Sequence, residues 1–306
     1  MALRHIRIFQ RTYASFKFTC FLLIVMGMIV AALFGSLDLG HAKNPLSQIS
    51  AMQLTFGLLS ITFGLKLFKN DTLMRRREEE GGLWLLPYFL GKLMGSSAEL
   101  LVYPLIFLFG YYPLVKAAGS FVNYWGLLTL FQFSIIGLAN FVAIVVPGTN
   151  CNLTANGILV ILWSFGGIEP TLAIIKKRMG GFGEAINMMS PFKWSFEKQV
   201  IIELRENYSP LYEDTINTMV EKFGYDLNDT RKDTGALISY YLIATALGFI
   251  WMVWARDYFR IWRDIKSFVL SFRSPSTPVL TAEKAKNEDE KGETVRSPEL
   301  TKDSDV

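Results

Sequence analysis

The chain alternates between long apolar runs and short polar connections, and the runs show no two-residue alternation. They cover roughly residues 18–37, 46–68, 96–115, 121–146, 153–175 and 236–255. An α-helix rises 1.5 Å per residue, so about twenty residues cross about 30 Å of hydrocarbon. In lipid a backbone satisfies its hydrogen bonds only as a helix or a closed barrel. Barrel strands would read as segments of about ten alternating residues, which these runs are not. The pattern predicts an all-α membrane protein with six spanning helices. A signal peptide is the competing reading of the N-terminus, where Arg4, Arg7, Arg11 and Lys17 precede the first run. That run exceeds a signal core of about 7–15 residues and has no small-x-small cleavage site, so it reads as a span.

Two polar-rich segments add detail. In MMSPFKWSFEKQVIIELREN, Ser190 suits an N-cap and Pro191 the first helical position. Phe192, Phe196, Val200 and Leu204 follow at four-residue steps, with Glu197 and Lys198 off the stripe. This predicts a helix lying in the outer interface or re-entering it. Beyond about Arg273 the tail is charged, rich in Ser, Thr and Pro, and without apolar periodicity, so disorder in the cytosol is expected.

Composition agrees: hydrophobic residues make up 51% of 306, and charged residues only 19%. The formal charge of +4 is too small to suggest a nucleic-acid partner. The two cysteines, Cys20 and Cys151, support neither a disulfide framework nor a metal set. Lys and Arg are denser before the first span, at Lys69 and Arg75–Arg77, and at Arg256, Arg260, Arg263 and Lys266. The positive-inside rule therefore places both termini and the 69–95 loop in the cytosol. The 176–235 loop is then external, which its two sequons, Asn228-Asp229-Thr230 and Asn207-Tyr208-Ser209, accommodate; Asn228 is the better glycosylation candidate because Pro210 follows the other. Tyr111, Tyr112, Tyr124, Trp125, Trp251 and Trp254 fall where aromatic belts are expected. Gly27, Ala31 and Gly35, Ser60 and Gly64, and Ala244 and Gly248 form small-xxx-small faces for helix packing.

No phosphate-binding loop occurs: Gly91-Lys92 lacks both the upstream glycine and the following Ser or Thr. The spans carry no His or Asp, so an enzyme is not expected. Their polar residues are Gln53, Thr55, Thr62, Glu99, Gln132, Asn140, Asn156 and Glu169. A carboxylate at mid-membrane costs about 2.5–3.5 kcal/mol on insertion scales. Glu169 lies in SFGGIEP, which should break the fifth helix near its outer end. It is either a gate or substrate contact or a carboxylate already in the outer interface.

Three stretches resemble the membrane domain of the G subfamily of ABC transporters, the white/pleiotropic-drug-resistance type. DTLMRRREEEGGLWLLPYFLGKLMGSSAELLVYP is similar to the family's loop before the third span, through Arg77, Glu78, Gly81, Tyr88, Phe89, Glu99 and Leu100. SFGGIEP stands where the family has a Ser-Gly turn, and SPFKWSFEKQVIIEL resembles its Ser-Pro, aromatic and Glu pattern before the sixth helix. The likeness covers roughly residues 1–258. It implies a six-transmembrane-helix bundle of the ABC exporter (type 2 membrane domain) kind, with amphipathic connecting and outer re-entrant helices. Residues 1–17 would be a cytosolic connecting helix, 18–258 the transmembrane domain with outer loop 176–235, and 259–306 the cytosolic tail.

By the same resemblance, Arg77, Glu78, Glu79 and Gly81 belong to a coupling loop that docks on a nucleotide-binding domain. ATP and Mg would be bound by that partner and no cofactor by this chain. The expected assembly is a homo- or heterodimer of membrane domains in a plasma membrane or endomembrane, with a path for efflux of lipidic or amphipathic substrates. Gln53, Thr55, Phe56, Asn156 and Glu169 are the candidate path residues, being polar or aromatic on the second and fifth spans. Relatives carry a nucleotide-binding domain upstream and often outer-loop disulfides, neither of which this sequence has; a stand-alone subunit or a truncated product is expected. The alternative is a non-transporting assembly or regulatory protein, or an inactive fragment.

Overall fold

The computed structural model describes residues 2–34, 45–69, 84–115, 117, 119–146, 148, 150–167, 170–206 and 230–273. The helices among them are α1 (Ala2–Phe34), α2 (Pro45–Lys69), α3 (Leu85–Val115), α4 (Phe121–Val145), α5 (Cys151–Ser164), α6 (Leu172–Met189), α7 (Pro191–Glu206) and α8 (Thr230–Arg273). By internal contacts the chain divides into two units, Met1–Val253 and Trp254–Val306. The first holds α1 to α7 and α8 through Val253; the described part of the second, 254–273, is helical.

Among the described residues, five helices are long and apolar enough to cross a membrane, over Phe16–Phe34, Leu46–Phe68, Leu85–Val115, Phe121–Val145 and Arg231–Ala255. Four of these match expected spans closely. The third starts earlier than expected, because residues 85–95 are helical rather than loop. Lys92 explains how a charge is accommodated there. Its ammonium donates to the Leu67 carbonyl near the end of α2 and lies over the Phe68 and Tyr88 rings, 5.4 and 5.7 Å from their centroids. A cation at the carbonyl end of a helix meets its orphan acceptors and its dipole.

The expected fifth span of 153–175 is shorter than the sequence suggests. Helix α5 has 14 residues and rises about 21 Å, less than the hydrocarbon thickness. It stops where Gly167 takes φ 92, a left-handed conformation that ends helices. Helix α6 is itself bent at Gly180, which has φ 59 and ψ −145.

Helix α4 is the axis of the bundle, with Leu127, Leu128, Phe131, Ile135, Ile136, Ala139 and Val142 all buried. Helices α2, α3, α5 and α7 pack around it, while α1 lies along α3. Small residues set the closest approaches. A Cβ on Gly27 would stand 2.6 Å from the Phe107 carbonyl oxygen, and one on Gly110 would stand 2.3 Å from that of Ile24. A Cβ on Gly64 would meet the Cβ of Ala139 at 2.6 Å, and one on Gly137 the backbone of Tyr241 at 3.1 Å. Lipid offers no hydrophobic gain for helix association, so such backbone proximity carries the packing. Inside α3, Pro104 leaves the Leu100 carbonyl without its helical donor. The adjoining Leu101 carbonyl accepts from the Trp125 indole at 3.2 Å, which ties the disturbed turn to α4.

Candidate functional site

The least ordinary feature of the bundle is α7, a helix of modest apolarity buried on several sides. Its start follows the local sequence. Ser190 holds extended backbone (φ −82, ψ 124), and its Oγ accepts from the Phe192 N–H at 3.2 Å. The same hydroxyl donates to the Leu162 carbonyl at 2.7 Å, and Asn187 Nδ2 donates to the Phe165 carbonyl at 2.5 Å. The turn between α6 and α7 thus supplies donors to the orphan carbonyls at the end of α5. A helix can stop inside an apolar bundle only when those acceptors are met. Replacing Asn187 with Leu and Ser190 with Ala should each cost about 1–3 kcal/mol through an orphaned carbonyl. Thermal unfolding in detergent measures this, and unchanged midpoints in both variants would count against the cap.

Beyond the cap the apolar stripe enters the bundle. Phe192, Phe196 and Val200 are buried, the Phe192 ring lies 5.1 Å from Phe131, and a Cβ on Gly166 would meet Phe196 at 2.6 Å. The other face is polar and equally buried: Ser195, Glu197, Gln199 and Glu203 are all at most 3% exposed. Gln53 Nε2 on α2 donates to Gln199 Oε1 at 2.6 Å, and Gln199 Nε2 faces Met52 Sδ at 3.9 Å. The Tyr124 hydroxyl on α4 donates to Glu203 Oε1, which also accepts the Gly119 N–H at 3.2 Å. The Tyr112 hydroxyl in turn donates to the Gly119 carbonyl at 3.0 Å. This polar layer fastens α7 to α2, to α4 and to the turn before α4.

The lysines of α7 sit at its edge. Burial pushes Lys198 below the usual lysine range, opposed by Asp233, and its ammonium donates to Thr234 Oγ1. Burial likewise lowers Lys193, opposed first by Glu197, and Lys193 lies 4.1 Å from the Trp194 ring centroid. Deeper in α4, Gln132 and Asn140 are fully buried, and neither amide has a hydrogen-bond partner among the described residues. Each unmet group of this kind costs about 1–3 kcal/mol.

The expected path residues separate. Gln53 and Phe56 point into the packed interior, Gln53 bonded to Gln199 and Phe56 with its ring 5.0 Å from Phe107. Thr55 is half-buried on α2, and Asn156 is half-buried on α5 with an unpartnered Oδ1. Helices α2 and α5 do pack together, through Trp163 Nε1 donating to Ser50 Oγ at 2.9 Å among other contacts. Glu169, Arg77, Glu78, Glu79, Gly81 and Asn228 lie outside the described residues, as does the Glu99 side chain. Tyr111 and Tyr124, expected in an aromatic belt, are wholly buried: the Tyr124 hydroxyl bonds Glu203, and the Tyr111 ring stacks on Phe107 with centroids 6.0 Å apart. Trp251 and Trp254 do stay exposed, at 39% and 56%.

A chain whose described elements are all helices, five of them apolar and of membrane length, is a multi-pass integral membrane protein. The chain belongs to the ABC-2 type transporter family, whose profile matches residues 11–257. An ABC-2 membrane domain implies partnership with a nucleotide-binding domain, so the chain is a membrane component of an ABC transporter. A search of curated proteins gives no match.

Proposed function

We propose that the chain is the membrane half of an ATP-driven exporter of lipidic or amphipathic substrates. ATP hydrolysis resides in a nucleotide-binding domain, on a separate polypeptide or elsewhere in a longer protein, and this chain carries no enzymatic activity and no cofactor. Two such membrane domains line the path, with α2 and α5 toward the dimer axis. Both termini face the cytosol, so the α6–α7 hairpin sits at the outer end, with α5 and the hairpin together completing the sixth crossing and α7 re-entering. The observation that carries this reading is the family match over residues 11–257 on a chain with no phosphate-binding loop.

The buried amides support a bundle with two arrangements. Gln132, Asn140 and the Oε1 of Gln53 lack partners among the described residues in the arrangement seen, and a protein that switches can meet them in the other. Driving such a switch from 1:99 to 99:1 requires about 5.5 kcal/mol of differential binding, which ATP on a docked domain supplies. The G-subfamily resemblance assigns that docking to Arg77, Glu78, Glu79 and Gly81.

The test is co-expression with nucleotide-binding subunits, reconstitution into vesicles, and measurement of ATP-dependent export of a fluorescent lipid analogue. The double variant Arg77→Ala/Glu78→Ala should lower export at least about tenfold, equivalent to about 1.4 kcal/mol of lost coupling, without altering surface expression. Failure of the chain to associate with any nucleotide-binding subunit would point to the non-transporting alternative.

A further inference from the structure

A cavity of about 840 Å³ opens between α3, α4, α7 and α8, apart from the α2–α5 face of the proposed path. Ligand pockets run about 300–1,000 Å³, so it is large enough for more than water. Two cationic side chains, Lys198 of α7 and Arg231 of α8, both line it. Among the described residues that line it there is no carboxylate, and the nearby acids Glu197 and Asp233 are buried, at 3% and 2% exposure. Val122 and Asn123 in the first turn of α4 and Thr234 in the first turn of α8 also line it. Helix N-termini add positive potential to that of the two side chains.

The remaining walls are apolar, at Leu101, Leu130, Ile202 and Ile238. From Val122 to Leu130 the cavity follows α4 for about 12 Å. Leu101, Val122 and Ile238 are 43%, 67% and 44% exposed on helices that cross the membrane, so the open side faces the bilayer. A free inorganic anion would leave these apolar walls unused. A headgroup with its attached acyl chains matches both the cationic and the apolar lining.

We infer that this cavity is a lateral binding site for an anionic glycerophospholipid, with its phosphate held between Lys198 and Arg231 and its chains against Leu130 and Ile238. The inference requires only the membrane embedding of α3, α4 and α8 and is independent of the transport reading.

The test titrates the full chain, purified in a neutral detergent, with dioctanoyl phosphatidylglycerol and counts bound lipid by native mass spectrometry. Saturable binding is expected at this site. Arg231→Gln, a change at an exposed side chain, should weaken it about tenfold, Lys198→Gln/Arg231→Gln further, and Ile238→Trp should remove it by filling space against the apolar lining. Unaltered binding in Arg231→Gln overturns the inference even if the tryptophan variant fails to fold. Equal affinity for dioctanoyl phosphatidylcholine overturns the charge recognition, and displacement by an equal concentration of inorganic phosphate shows a free-anion site instead.

Discussion

Gly110→Leu is expected to lose most of its folded, monodisperse population in detergent, while Gly91→Ala on the same helix keeps it. A Cβ at Gly110 would stand 2.3 Å from the Ile24 carbonyl oxygen and 3.1 Å from the Ile24 Cα. The partner atoms are backbone, so no rotamer change relieves them. The contact is reciprocal, since a Cβ on Gly27 would stand 2.6 Å from the Phe107 carbonyl oxygen and 3.1 Å from the Tyr111 nitrogen. Helices α1 and α3 must therefore separate. Overpacking of this kind costs about 1–3 kcal/mol, and more when a whole interface parts. Gly110→Ala already introduces the clash and should lower the thermal midpoint by several degrees, at about 2–4 °C per kcal/mol for a domain of this size. Gly91 meets nothing within 4 Å, and alanine there gains up to about 1 kcal/mol of helix propensity. The opposite signs of two Gly→Ala changes on one helix separate packing from propensity. Equal midpoints for the two would dismiss the close approach of α1 and α3.

Legibility in the sequence tracks the range of the interactions involved. Helices α1, α2, α4 and α8 were readable because a hydropathy run is local and twenty residues suffice to show it. The start of α7 was readable for the same reason, since Ser190 and Pro191 cap from within one turn. The end of α5 was harder. The apolar residues after Ser164 extend the hydropathy run, but donors from Asn187 and Ser190, 22 and 28 residues away from their acceptors, let the helix stop early. The inward turn of Tyr124 is not legible, because its partner Glu203 is 79 residues distant. Gln199 and Glu203 went unnoticed as candidate site residues, since the burial of a polar face depends on what covers it. A hint was present: a stripe of Phe192, Phe196 and Val200 flanked by Gln and Glu reads as interfacial in isolation, yet those same acids and amides become partners for Gln53 and Tyr124 when the helix sinks into the bundle. For Gln53 the sequence shows polarity in a span, which signals an interaction without saying with what; in the structure one such interaction is its hydrogen bond to Gln199.

Glu203 carries the second large effect. Its carboxylate is 1% exposed and takes hydrogen bonds from the Tyr124 hydroxyl and the Gly119 N–H. Glu203→Ala orphans both donors at once, at about 1–3 kcal/mol each, and opens a void beside Tyr124. A loss of this size should drop the thermal midpoint by roughly 4–24 °C at the scaling for such domains. Glu203→Gln keeps an acceptor oxygen and should fall between the two. Tyr124→Phe removes the phenolic donor, and combined with Glu203→Gln it should show a coupling of about 0.5–3 kcal/mol, as expected of residues in one network. A Glu203→Ala protein as stable as the wild type would show that the polar layer does not hold α7. The second readout is positional. Gly119 sits tightly beneath Ile202 and Glu203, where a Cβ would meet them at 2.5 and 3.2 Å, so the turn before α4 cannot move independently of α7. Gln199 adds α2 through Gln53. If α7 travels with α4 and α2 as one body, Glu203→Ala should raise amide exchange at residues 119–124 and at the end of α7 together, whereas a purely local defect would raise it at α7 alone.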